Sequence, residues 1–202
     1  MKKIITLAII LSAFNGMAQR TMFHSQNKYK APPAGPAAPV LGSTYGGGKI
    51  FYIFQPGDPG YVAGETHGLI AALSDIPSNA YRIFNGCYPN FGTSTALGTG
   101  AANTTNLLAC NDAVNAAKLV NELTDGGYTD WYLPSKDELN KLYLNKNLVG
   151  NFIDPSYWSS SEVTDPPWPT VSWYAYFQWF NDGTQSAEGK GYQKGIRAIR
   201  SF

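Results

Sequence analysis

Cysteine and histidine are scarce in this chain: two of each among 202 residues, and of the histidines only His67 lies beyond residue 39. Zinc and similar ions need three or four such ligands at close spacing, so no structural or catalytic metal of that type is expected. His67 has no partner at a spacing that suggests a general base, and Asp130, Asp137 and Glu138 form no acid–base pair. No catalytic residue set is therefore expected, and no enzyme activity. Clustered basic residues are also missing. From Val40 onward ten Lys plus Arg stand against fourteen Asp plus Glu, a balance of −4, which excludes the cationic footprint of a nucleic-acid partner. There is no internal repeat and no Gly-X-Y period, so neither a solenoid nor a collagen-like stalk is encoded. After residue 14 no apolar run approaches the roughly 20 residues of a membrane span.

The beginning of the chain has a different character. Lys2 and Lys3 precede an apolar run from Ile4 to Phe14, followed by small residues at Gly16 and Ala18. That order describes a secretory signal peptide over residues 1–18, cleaved after Ala18. Asn15 interrupts the run short of a span, so no transmembrane segment is expected after cleavage. Residues 19–39 hold "APPAGPAAP", whose prolines remove backbone donors and favour extended conformations, the composition of a linker. Residues 40–202 are the right length for one domain with its own core. In an exported chain an even pair of cysteines points to a disulfide between Cys87 and Cys110. Closing those 24 residues would stabilise the fold by roughly 3 kcal/mol in the chain-entropy picture. A pair of reactive thiols is the competing reading.

Within the domain, Lys49 to Phe54 is β-rich and suits a strand buried on both faces, and Gly68 to Ser74 reads as a second strand. The thirty residues that follow are mostly turn formers and predict a long irregular loop. Leu107, Val114, Ala117, Val120 and Leu123 recur at helical spacing and predict a helix over 105–123, capped by Asn103, Thr104 or Thr105 and ended by "DGG" at 125–127. A second helix, from Lys136 to about Asn145, is announced by Ser135 and Glu138, a capping box. Trp173, Ala175, Phe177 and Trp179 alternate with Tyr174, Tyr176 and Gln178, which predicts a strand, and "FNDGT" predicts the hairpin turn after it. A last strand, Gly195 to Arg200, places Ile196 and Ala198 opposite Arg197 and Ile199. Two helices followed by a late run of short strands make an α+β domain.

The segments "GGGKIFYI", "HGLIAAL", "GTGAANT", "GGYTDWYLPSKDELNKLY", "YWSSSE", "DGTQ" and "IRAIRSF" occur in this order between residues 46 and 202. They resemble a family of bacterial exported domains named after the C-terminal domain of a collagen-like adhesin, the Lcl C-terminal domain family. The resemblance implies a C-type-lectin-like fold, with two helices flanking a small, twisted, mostly antiparallel sheet and long irregular loops. It also implies a secreted, periplasmic or cell-surface location in a bacterium. In the adhesin members it implies adhesion through sulfated polysaccharides, a ligand class that the acidic balance here does not suit.

Candidate contacts follow from that frame. Trp168 lies in "DPPWPT", a proline-stiffened loop where an exposed indole is suited to stacking on a sugar ring. Tyr174 and Tyr176, on one strand face, extend the same surface, and Arg197 offers a cation for an acidic group. Trp131, Trp158, Trp173 and Trp179 are expected in the core. "WFNDG", Trp179 to Gly183, is similar to the calcium-binding strand of C-type lectins, but Phe180 is inserted. Asn181, Asp182 and Glu162, with Asp165, are the weak calcium candidates. Asn181-Asp182-Gly183 also makes an ordinary turn. No cofactor is required, and calcium is optional. The functional expectation is an exported, non-enzymatic binding or adhesion module recognising a surface glycan or protein at its loop face. Two alternatives remain: an oxidoreductase similar to formylglycine-generating proteins, using Cys87 and Cys110, or a self-associating, homo-oligomeric subunit of a surface assembly.

Overall fold

Alternation of apolar residues on both sides of two central strands determines how this chain layers. A computed structural model describes residues 39–77, 88–110, 115–163 and 172–202. The contacts set residues 38–202 apart as one unit. Residues 1–38, read above as a signal peptide and most of a linker, and Cys87 and Trp168 lie outside the described residues.

The strands are β1 (Thr44–Tyr45), β2 (Gly48–Ile53), β3 (Gly68–Ala72), β4 (Ser156–Glu162), β5 (Tyr174–Trp179), β6 (Gln185–Gly189) and β7 (Ile199–Ser201). They form two antiparallel sheets, ordered β1-β2-β3-β7 and β4-β5-β6. The domain is thus α+β with two small antiparallel sheets. In the first, β3 pairs with β2 through Ile50↔Ile70 and with β7 through Ile70↔Arg200. The register slips by one residue between Ile50 and Tyr52, a bulge at Phe51. β2 and β3 are buried on both faces. Ile50, Ile70 and Ala72 pack with Trp131, Leu133, Trp158, Ile196 and Ala198. Phe51, Leu69 and Ala71 pack on the other side with Tyr132, Leu139, Leu142, Tyr157 and Ile199. Period-two side-chain placement alone sends neighbours into opposite layers. The same alternation carries Trp131, Tyr132 and Leu133 of the "DWYLP" segment into first one cluster and then the other.

The helices are α1 (Gly100–Leu107), α2 (Ala116–Asn121), α3 (Lys136–Leu144) and α4 (Lys146–Val149). The α3 capping box forms as expected: Glu138 N–H donates to Ser135 Oγ at 3.2 Å and Ser135 N–H donates to Glu138 Oε2 at 2.8 Å. Glu138 also accepts from Gly98 N–H at 3.0 Å, which ties the loop before α1 to α3. Burial pushes its carboxyl above the ordinary glutamate range in spite of these bonds.

A single helix over 105–123 is not observed. α1 begins earlier, after Thr99, and ends at Leu107, while α2 starts afresh at Ala116 with Asn115 Oδ1 accepting from Lys118 N–H at 2.8 Å. Asn103 and Thr104 are not caps. They are buried inside α1, where Asn103 Nδ2 donates to Ser94 O and to Ser160 Oγ, and Thr104 Oγ1 accepts from Leu133 N–H at 3.0 Å. Of the apolar stripe, Leu107, Ala117 and Val120 are buried, Leu123 is partly buried and Val114 lies outside the described residues; the spacing was blind to these side-chain bonds. The "DGG" segment forms a 3-10 turn at Asp125–Gly127, and Gly126, at φ 62°, lies directly against Gly47, leaving no room for a Cβ.

The triple serine of β4 is structural. Ser159 Oγ donates to Tyr176 O, Ser160 N–H and Oγ–H both reach Pro134 O, and Ser161 Oγ donates to Ser94 O while accepting from Lys136 N–H. These bonds join the second sheet to the α3 N-terminus and to the 88–99 loop. The hairpin from β5 to β6 turns at Gly183, φ 85°, and Gln178, buried beneath it, donates to Asn140 Oδ1 at 2.9 Å.

Candidate binding site

β5 begins at Tyr174, so Trp173 stands just outside the alternating ladder, and both side chains turn outward. Trp173 is 53% exposed and Tyr174 50%. This corrects the expectation that Trp173 is core. The parity argument holds within the strand, for buried Ala175 and Phe177 and half-buried Trp179, and stops where the pleat stops. Ser172 N–H donates to Tyr88 O at 2.8 Å and brings the 88–92 loop alongside. The Tyr88 ring then lies 4.2 Å from that of Trp173, at an interplanar angle of 32°. On the other side, Lys190 N–H donates to Trp173 O, and a turn closed by Tyr192 N–H to Gly189 O presents Tyr192, 61% exposed.

Together these residues line a cleft of about 500 Å³ with Glu188, Gly189 and Gly191 in its wall. Its charges are satisfied internally. Lys190 Nζ meets Glu162 Oε1 at 2.5 Å, both side chains being fully buried. Burial holds the lysine ammonium below its ordinary range, and the hydrogen bond to Glu162 opposes that fall. Glu188 pairs with Lys194 at 2.5 Å, and the Lys194 ammonium rests 3.7 Å from the centroid of Phe177.

Of the residues singled out in the sequence, Tyr174 lines this cleft. Tyr176, two positions on, does not: it is half-buried, with the Lys136 ammonium 4.9 Å over its ring. Arg197 is not a surface cation. It is 1% exposed, donates to Asp75 Oδ1 at 2.7 Å and to the carbonyls of Ala72, Gly150 and Asn151, and stacks on Phe152. Every face of its guanidinium is used within the fold, so it is no ligand contact. Arg200 likewise grips Asp130 through two bonds of 2.7 and 2.8 Å, holding that carboxyl below the usual aspartate range. His67 bridges Glu65 and Phe202 O, a local structural role.

The calcium candidates do not come together. Glu162 pairs with Ala175 at one end of the β4–β5 ladder, whereas Ser156 pairs with Trp179 at the other, the end that leads to Asn181 and Asp182. Glu162 is already occupied by Lys190, Phe91 N–H and Thr93 Oγ1. Asp182 Oδ1 accepts from Thr184 N–H at 2.9 Å, as a turn residue does. Lys146, whose ammonium donates to Phe180 O, helps to depress the Asp182 carboxyl, after its bonds to Thr184. A cation of the protein's own thus stands beside the "WFNDG" segment, and the donor set does not fit calcium, which needs six to eight oxygens. Asp165 lies outside the described residues, among which no group of three or more His, Cys, Asp or Glu could hold a metal.

A second cleft, of about 610 Å³, opens beside Lys146, Phe152, Asp154, Phe180 and Asn181. Its ionisable groups do not converge for acid–base chemistry, because Lys146 is committed to Phe180 O and to the Tyr143 ring. Asp154 Oδ2 is buried without a hydrogen-bond partner. Burial, reinforced by the Asp75 charge, raises its carboxyl above the ordinary range. The first cleft carries an exposed aromatic surface, and sequence reasoning missed three of its members: Trp173, assigned to the core, and Tyr192 and Tyr88. Tyr192 had a signal in "GKGY", an aromatic flanked by glycines at a turn. Tyr88 had none, because only the backbone bond to Ser172 brings it there.

No family model matches the chain, and no curated protein matches it in sequence. No helix among the described residues is long and apolar enough to cross a membrane.

Proposed function

We propose that this chain is an exported, non-enzymatic binding module that holds a glycan in the cleft of Tyr88, Trp173, Tyr174 and Tyr192. One observation carries the reading: four aromatic rings, three of them half-exposed or more and two of them in close tilted contact, share one cleft at the loop end of a sheet. Water does not favour such a surface, and folding alone does not require it. A pyranose ring offers apolar C–H faces for these rings and hydroxyls for the tyrosine O–H groups and Glu188. The C-type-lectin-like topology belongs to this proposal. It is supported by the pairing of early strand β3 with the C-terminal strand β7 and by the irregular segments that flank the second sheet.

The competing oxidoreductase finds less support, since Cys110 is 2% exposed and packs in the core with Leu107 and Ala116. A catalytic thiol needs access to its substrate. A glycan array probed with the full chain and with Trp173→Ala tests the binding module. Retention of one or more glycans by the native chain, lost at least tenfold in the variant, is the expected outcome. Equal retention by both would sink it.

A further inference from the structure

We infer that the cleft is selective for uncharged glycans and turns sulfated and carboxylated ones away, an inference that rests on the binding reading above. Selectivity here depends on which charges reach the ligand. Among the described residues lining the cleft, the one cation is Lys190, and its ammonium is buried and bound to Glu162 Oε1 at 2.5 Å. It is spent on a protein carboxylate and screened by protein from anything seated on the rings. The next cation inward, Lys194, is 5% exposed, engaged by Glu188 and enclosed by the rings of Phe177, Trp158 and Trp179. What the cleft shows to solvent is the acidic half of that pair, Glu188, with a side chain 37% exposed.

A sulfate or carboxylate brought onto the Trp173 face therefore meets a carboxylate with no accessible cation among the described residues of the cleft to answer it, and like charges at such range repel. A hydroxyl meets the same carboxylate as a hydrogen-bond acceptor. One side chain thereby rewards the neutral sugar and penalises its anionic counterpart, which is how specificity is commonly built. The domain's balance of −4 from Val40 onward acts in the same direction at longer range.

The test uses the same polysaccharide backbones in uncharged and sulfated forms: dextran, cello-oligosaccharides and agarose oligomers, each against its sulfated derivative. Binding of the full chain is measured by calorimetry or affinity electrophoresis at low and at physiological ionic strength. At least one uncharged member is expected to bind with little salt dependence, and its sulfated form at least about tenfold more weakly at low salt. Trp173→Ala and Tyr192→Ala, both at exposed positions, should abolish binding while circular dichroism stays unchanged. Glu188→Gln removes the rim carboxylate and is expected to raise affinity for the sulfated form. Tighter binding of the sulfated form that still depends on Trp173 overturns the selectivity and leaves the stacking site standing. Absence of binding to every probe, or binding indifferent to both aromatic variants, overturns the two together.

Discussion

Asp154 shows at the scale of one residue how a fold can hold an unfavourable group. Its Oδ2 is buried with no partner, and Asp75 is nearby. The folded chain therefore holds its proton to a higher pH than the unfolded chain does. The residue's contribution to stability is fully present below the ordinary aspartate pKa and is lost as pH rises through the raised folded value. Asp154→Asn is expected to stabilise the domain at pH 7 by about 0.5–1 kcal/mol, a low figure because the side chain is only part-buried. The gain should shrink towards pH 4, and urea titrations across that range would show it. The Glu162–Lys190 pair behaves oppositely. With both side chains buried, Lys190→Met leaves an unanswered carboxylate and should cost about 3–5 kcal/mol. The double variant Glu162→Gln with Lys190→Met should recover much of that loss. Additive losses in a double-mutant cycle would refute the coupling.

At the scale of elements, the strongest local signal gave the most faithful outcome. Ser135 and Glu138 announced α3, and the capping box is present on both arms. Ser135→Ala should lower stability by about 1–2 kcal/mol, measured by thermal or urea unfolding, because it removes a cap whose Glu138 partner is itself buried. Predictions failed where side chains bond to distant backbone. The leucine pattern merged α1 and α2, since a helical period does not register that Asn103 serves Ser94 or that Asn115 opens a new helix. β5 was legible in its interior and not at its first residue. The family resemblance assigned Trp173 to the core, yet the tryptophan precedes the strand and stands in the cleft.

For the whole molecule, covalent closure is the property most open to measurement. Cys110 is buried in the core cluster and no cysteine among the described residues is free, while Cys87 lies outside them. A disulfide between the two is expected to leave the intact chain lighter by two hydrogen atoms than its reduced form. Reduction should lower unfolding stability by roughly 3 kcal/mol, the loop-entropy figure. A full titre of thiols in the native protein would remove this staple from the account.

The two-faced burial of β2 and β3, the start of α3, the β5–β6 turn and the acidic balance were all set by residue order, because each depends on spacings of one to four residues or on composition alone. The meeting of Tyr88 with Trp173, the sealing of Arg197 against Asp75, and the separation of Glu162 from Asp182 came only from tertiary structure. Those relations join residues tens of positions apart. Side-chain type says what a group can do, but which neighbour it meets, and whether water reaches it, is decided when the sheets and helices pack.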